Sequence, residues 1–456
     1  MSSSNEEPPS VVFGSRYGIR TIELNRPKKL NSLNGEMIDQ IVPRLVQWQQ
    51  SDMANMVLMK GAGDKAFCAG GDVAALAKHN QEPDGQEKSV DYFRKEYQLD
   101  HLIATYQKPY IAFMDGITMG GGVGLSIHAP IRIATERTVF AMPETTIGFF
   151  PDVGASFFLP RMNGSVGTYL ALTSERLRGP DVFYSGIATH YMHSTSLKPL
   201  EHRLAELGFA DNEQPDERLR VISDAIEEFC TGLPHDQPML LQGELRNAID
   251  RCFCHNTVEE IMAALQKEEG ITKEWATATL ETLHKRSPLS VYVTLRQMRT
   301  SRNWSIAETF QKEHAMAIEF MKNSDFTEGV TALLVRKDAP KWSIPTLEDV
   351  ASHGGAGVTD RFFNFQKVKQ QDRLQLLSDG NYHEYPHTEY VGVPTEEEVK
   401  EAVLTDPKQT RDDVARRVVE SRKGRLGIDV VVREILERKT RVGRQEGQDL
   451  ITWVEK

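Results

Sequence analysis

The chain has 456 residues, 39% of them apolar, and a net charge of −11, enough for two or three domains around a sizeable core. That charge excludes a molecule built as a whole to coat nucleic acid, and no apolar run is long enough to span a bilayer. Four scattered cysteines, Cys68, Cys230, Cys252 and Cys254, make no disulfide framework and point to a reducing compartment.

The opening MSSSNEEPPS is polar and acidic. It lacks the apolar stretch of a secretion signal and the Arg-rich pattern of a mitochondrial presequence. Residues 1–9 read as a flexible lead-in. GIRTIELNRP is a short β-rich run ending at a proline. LNSLNGEMIDQIVPRLVQWQQS has helical spacing through Met37, Ile41 and Leu45. NMVLMKGAG, PYIAFMDGITMGGG and IRIATERTVFAMPE are strand material ending in glycine or proline turns. Alternating strand, glycine turn and helix predict an α/β layer architecture.

After about residue 200 the character turns helical. DERLRVISDAIEEFC, TVEEIMAALQKE and EWATATLETLHKR are predicted helices, and Thr257 with Glu260 has capping-box spacing. Beyond about residue 350 the chain is more polar. SHGGAG and SDGNYHEYPH read as loops, and PTEEEVKEAV and DDVARRVVESRK as helices. Between Thr405 and Glu446 twelve Lys/Arg stand against eight Asp/Glu. This basic segment is a solvated helix face or a contact for an acidic partner. The closing WVEK is not a peroxisomal tripeptide.

Chemistry concentrates in three glycine-bearing stretches: KAFCAGGDV, GITMGGGVG and FAMPETTIGFFPDVGASF. Neither a phosphate loop nor a G-x-G-x-x-G dinucleotide fingerprint is present in them. Glycine at a strand end or helix start exposes N–H groups, and two such groups from different loops can converge on one carbonyl oxygen as an oxyanion hole. Glu144 and Asp152 lie in an otherwise apolar stretch. Each is either satisfied by turn chemistry or kept for catalysis, because a bare buried carboxylate is costly. The CFCHN stretch offers only three candidate metal ligands and reads as a corner before a helix.

Residues 10 to about 340 resemble the crotonase (enoyl-CoA hydratase/isomerase) superfamily, in NRPKKLNSLN, KAFCAGGD, QKPYIAFMDGITMGGGVGLS, FAMPETTIGFFPDVGASFFLPR and DFTEGVTALLVRKDAPKW. The resemblance is strongest to its thioester-hydrolase branch. It implies a spiral of ββα turns over 10–200, a helical region over 201–350 on the active-site side, and a basic, mostly helical extension over 351–456. It implies oxyanion donors at Gly71 and Gly121, a catalytic carboxylate at Glu144, a second acid at Asp152 and a pocket residue at Glu96. Cys68 takes a packing position. Ala69, Lys28 and Lys29 are the expected contacts for CoA. Hydratases carry a second glutamate where this chain has Gly124, so hydration is the lesser expectation.

The implied activity is hydrolysis of a β-hydroxyacyl-CoA, foremost 3-hydroxyisobutyryl-CoA of valine breakdown. No metal or redox cofactor is implied, since CoA belongs to the substrate. Whether Glu144 acts as nucleophile or general base stays open, and the two acids should titrate as a pair. Some fungal relatives are components of the mitochondrial small ribosomal subunit, so a second expectation is a ribosomal partner held by the basic extension. The compartment implied is mitochondrial, with peroxisomal as the alternative. A homo-oligomer is compatible with the family, and a membrane is not implied.

Overall fold

The computed structural model describes residues 8–210, 213–234, 238–387, 391–445 and 448–455, so most of the expected lead-in lies outside the described residues. A six-stranded sheet has the order β1-β2-β3-β5-β7-β10, from β1 (Val11–Arg16), β2 (Ile19–Leu24), β3 (Met56–Gly61), β5 (Tyr110–Met114), β7 (Ile131–Ala134) and β10 (His190–Tyr191). β1 and β2 pair antiparallel and the remaining neighbours pair parallel. A second sheet has the order β4-β6-β8-β9, from β4 (Ala66–Cys68), β6 (Ile117–Met119), β8 (Val139–Ala141) and β9 (Leu177–Arg178). The chain visits the first sheet, then the second, then a helix, and repeats. This is the expected crotonase-like ββα spiral.

The large sheet is covered on both faces, as parallel sheets require. Met59, Ala112 and Met114 join one apolar cluster. Leu58, Ile111 and Ile133 join another, with Leu200, Leu204 and Ile222 from the helices behind. Helix α1 (Gly35–Gln49) is capped by Asn34, which accepts from the Met37 N–H at 3.0 Å, and it buries Met37, Ile41 and Leu45. Two further helices, α2 (Val73–His79) and α3 (Gly85–Ala104), follow the first glycine loop, and α4 (Gly121–Ile127) follows the second. The Thr257 capping box forms as its spacing predicts. CFCHN closes the helix Gly243–Phe253 as a corner, with Cys252 buried and Cys254 exposed.

The end of the chain departs from expectation in three ways. SHGGAG is the end of one short helix, Leu347–Ser352, and the start of a 3₁₀ stretch, Gly355–Phe363. The extension is not purely helical: after helices Glu396–Leu404, Arg411–Ser421 and Ile428–Lys439 it closes with an antiparallel hairpin, β11 (Thr440–Gln445) with β12 (Gln448–Trp453). These elements share a core of their own around Val399, Val414, Val432 and Leu436. Its basic residues also do not simply face outward. Arg416, Arg422, Lys423, Arg425, Arg433, Arg438 and Lys439 all sit in ion pairs. Arg438 and Arg246 both reach Glu396, at 2.6 and 2.9 Å, and fasten the module to the helix Gly243–Phe253.

Candidate active site

β4 delivers the Ala69–Gly71 loop, in which Gly70 has φ +108°. A bridge to Leu33 is made by the neighbours of Gly71. The Leu33 N–H donates to the Gly70 carbonyl at 2.9 Å, and the Asp72 N–H to the Leu33 carbonyl at 2.8 Å. The Gly71 N–H is thereby left out of the bridge. β6 delivers Gly120, at φ +46°, and Gly121 opens α4. As the first helical residue, Gly121 has no intrahelical acceptor for its N–H. The two loops meet closely: a Cβ on Gly121 would stand 3.2 Å from the Gly71 nitrogen and 2.3 Å from Glu96 Oε1. The two glycine loops therefore meet where no side chain fits.

Glu144 opens a 3₁₀ turn, Glu144–Ile147, closed by the Phe149 N–H on the Glu144 carbonyl at 3.0 Å. Gly148, at φ +73°, packs so close to the Asp325 carbonyl that a Cβ would lie 2.4 Å from it. The turn is thus pinned to the helix Ser324–Val330. The Glu144 side chain is buried, and its Oε2 has no partner among the described residues. Its Oε1 lies 3.1 Å from where a Cβ on Gly120 would sit, beside the paired N–H groups.

Asp152 stands in a turn closed by the Ala155 N–H on its carbonyl at 2.9 Å, with Val153 at φ +53° and Gly154 at φ +88°. Asp152 thus belongs to a turn and also lines the cavity. Asp152 Oδ2 accepts from the Tyr97 hydroxyl at 2.7 Å. Glu313 grips the turn from the helix Ile306–Met321, accepting from the N–H groups of Gly154 and Ser156 at 2.7 and 2.8 Å. His128 Nε2 lies 3.0 Å from the Val153 carbonyl. A Cβ on Gly154 would stand 2.1 Å from that nitrogen, so only glycine fits. Glu96 is buried and accepts from the Tyr92 hydroxyl at 3.1 Å.

Gly71, Glu96, Gly121, Glu144 and Asp152 line one cavity of about 400 Å³, with Val73 and Leu76 of α2 and Phe326 on its walls. That is the scale of a small-molecule site. Leu333 and Leu334 complete it from Thr331–Arg336, a turn of π-helix, a feature common at functional sites. Of the three expected contacts for CoA, Ala69 lines the cavity and Lys28 and Lys29 lie outside it. They sit on an exposed 3₁₀ turn, where Lys29 Nζ is 3.6 Å from Asp72 Oδ2, an acid already held by Arg26 at 2.9 Å. The Cys68 thiol is pushed up to about 12 by burial and lies 3.6 Å from the Gly70 carbonyl, which suits packing. No group of three or more His, Cys, Asp or Glu among the described residues is arranged to hold a metal ion.

The acids dominate the electrostatics. Burial raises Asp152 to about 7, although the Tyr97 hydrogen bond opposes the rise. Glu144 is held well above the carboxylate range by burial and then by the charge of Asp152, and Glu96 by the same two causes. Glu313 is raised to about 8 by burial, against its hydrogen bonds. Sequence reasoning missed Tyr92, Tyr97, His128 and Glu313. The i, i+4, i+8 spacing of Tyr92, Glu96 and Asp100 on α3 was the available signal for a polar stripe facing the site.

Residues 19–357 match the enoyl-CoA hydratase/isomerase family. The chain is 53% identical to small ribosomal subunit protein mS47 of Neurospora crassa, over 98% of this chain and 88% of that one. It is 44% identical to the mitochondrial 3-hydroxyisobutyryl-CoA hydrolase of Gallus gallus, over 75% of this chain and 86% of that one. Among solved structures it resembles a carnitinyl-CoA dehydratase from Mycobacterium thermoresistibile, with TM-score 0.71, 30% identity, 82% of this chain and 100% of that chain covered.

Proposed function

This chain belongs to the enoyl-CoA hydratase/isomerase family, and we propose that within it the protein hydrolyses a β-hydroxyacyl-CoA thioester, 3-hydroxyisobutyryl-CoA foremost. One observation carries the reading. The loops carrying the N–H groups of Gly71 and Gly121, which have no described acceptor, meet beside the buried carboxyl of Glu144, whose Oε2 has no partner among the described residues. A thioester carbonyl oxygen placed between them meets two fixed donors as its charge develops, each typically worth about 3 kcal/mol. Glu144 delivers the attack on the carbonyl carbon, either directly, giving an acyl anhydride, or through a water whose proton it takes. In both routes the C–S bond breaks, CoA leaves as a thiol, and water supplies the oxygen of the free acid. Asp152, oriented by Tyr97, is placed to hold the acyl hydroxyl. CoA enters as part of the substrate, with Ala69 at the cavity wall.

Gly124 argues against hydration. A Cβ there would stand 2.7 Å from Asp100 Oδ2 and 2.8 Å from the Val153 Cβ, so a second glutamate has no room. The similarity to the mitochondrial 3-hydroxyisobutyryl-CoA hydrolase of Gallus gallus supports the thioester reading and a mitochondrial location. The test is thiol release from 3-hydroxyisobutyryl-CoA by the purified protein. Wild type should release CoA, and Glu144→Ala should lose about 10³-fold or more in kcat with its circular dichroism unchanged. Wild-type turnover in that variant would refute the assignment.

A second reading has its own support. The match to the Neurospora crassa ribosomal protein spans 98% of this chain, and so takes in the C-terminal module. We infer that the protein also associates with the mitochondrial small ribosomal subunit, a role compatible with an intact hydrolytic site.

A further inference from the structure

A second cavity, of about 620 Å³, lies between β7 and the stretch SDGNYHEYPH, and it shares no described lining residue with the catalytic cavity. Arg132 of β7 lines it together with Ile103, Ala129, Pro130, Tyr382 and Tyr385. No Asp or Glu stands among its described lining residues, and Arg132 is the one Lys or Arg among them. Three of the five guanidinium N–H groups are used. Nε donates to the Ile187 carbonyl at 2.6 Å, Nη1 to the Ala129 carbonyl at 2.6 Å and Nη2 to the Gly186 carbonyl at 3.3 Å. Two N–H groups are left over, and Arg132 forms no ion pair among the described residues. Carbonyl dipoles hold a guanidinium in place without cancelling its charge. A charge withdrawn from water is costly unless an anion answers it.

The tyrosines beside it have their hydroxyl protons engaged elsewhere. Tyr382 donates to the Ala104 carbonyl at 3.3 Å. His128 Nε2 lies 3.0 Å from the Val153 carbonyl, which can only accept, so Nε2 carries the proton. Burial keeps this imidazole neutral, lowering it to about 3, and Nδ1 therefore accepts from the Tyr385 hydroxyl at 2.9 Å. What the two tyrosines offer an occupant is their rings. His387 also lines the cavity, but burial lowers its pKa, so it adds no charge at neutral pH.

We propose that this cavity binds an organic carboxylate, with the anionic head on Arg132 and an apolar or aromatic body against Tyr382 and Tyr385. One guanidinium with two spare N–H groups matches a monoanion, which it can meet through two parallel hydrogen bonds. A phosphate dianion calls for a second cation, and no lysine or further arginine is among the described lining residues. Binding here does not depend on the hydrolytic reading.

Calorimetry on the full chain, with benzoate as probe and benzamide as its neutral counterpart, reads the anionic head without any substitution. Benzoate should bind with a Kd of about 1 mM or tighter, and benzamide at least about 10-fold more weakly. Equal affinity for the two, no benzoate binding up to about 10 mM, or tighter binding of inorganic phosphate than of benzoate overturns the proposal. Arg132→Gln should weaken benzoate about 10-fold or more and leave benzamide within about 3-fold. Benzoate affinity unchanged in that variant would place the acid elsewhere and overturn the proposal. If the variant does not fold, the benzoate and benzamide affinities of wild type decide. Saturating CoA should leave the benzoate Kd within about 2-fold, because the two cavities are separate. Displacement of benzoate by CoA would put it in the catalytic cavity, which also overturns the proposal. A chain that releases thiol from no acyl-CoA would defeat the hydrolase reading alone, since calorimetry needs no turnover.

Discussion

A carboxyl buried among other acids costs stability once it ionises. Asp152 has a folded value near 7 against an ordinary 3.8. Between those pH values the unfolded chain has released a proton that the folded chain still holds. The stability tied to that proton is whole below 3.8 and is lost as pH rises to about 7, at no more than about 1.4 kcal/mol per pH unit. Asp152→Asn abolishes this titration and keeps an acceptor for Tyr97. Calorimetry across pH should therefore show the variant gaining on wild type from pH 4 to pH 7 and running parallel above it. A difference that stays constant over the whole range would place Asp152 at its ordinary value. The same residue shows what a sequence discloses. Glu144 and Asp152 stand out because prolines and glycines break an apolar run around them. Their supports do not, because the Tyr97–Asp152 bond spans 55 residues and the Gly154–Glu313 bond 159. No local pattern encodes such pairings.

The elements were legible to different degrees, for physical reasons. Strands such as YIAFM are buried on both faces and end in glycine, so runs of apolar residues locate them. Helix α3 is harder to see, since it buries Glu96, Asp100 and His101 among its apolar residues and blurs the helical period. The C-terminal hairpin hides behind a helix that runs straight into it, although its strands are joined by only Glu446 and Gly447. Lys28 and Lys29, the expected contacts for CoA, lie on a turn that faces solvent, outside the cavity. The glycine loops are the elements on which the chemistry depends most. Gly121→Ala would place a methyl 2.3 Å from Glu96 Oε1 and 3.2 Å from the Gly71 nitrogen. It should cost about 10²- to 10³-fold in kcat, the usual loss for a spoiled oxyanion donor, with the fold retained by circular dichroism. Unaltered kcat would mean that the carbonyl binds elsewhere.

At the scale of the whole molecule, the C-terminal module is both fastened and exposed, and the two properties can be tested apart. Its seam is made of buried charge: the Arg438 side chain is 2% exposed and shares Glu396 with Arg246. Removing Glu396 takes away a counter-charge shared by both arginines and leaves them to Asp250 and Glu434, which weakens the seam. Glu396→Ala should therefore lower the unfolding temperature, and cutting the chain near residue 390 would destabilise the body as well as remove the module. Truncation is thus a poor probe of partner binding. Lys408, Arg441 and Arg444 are a better one, being exposed and in no ion pair among the described residues. If the module docks on ribosomal RNA or an acidic protein, reversing these three charges should weaken co-sedimentation with mitochondrial small subunits, most sharply as salt is raised. The unfolding temperature and thiol release should stay at wild-type levels, because none of the three touches the seam or the cavity. Co-sedimentation unchanged by the reversal would remove this face of the module from the interface. Thiol release lost along with binding would mean that docking surface and hydrolytic site are not separable, against an architecture that gives each its own core.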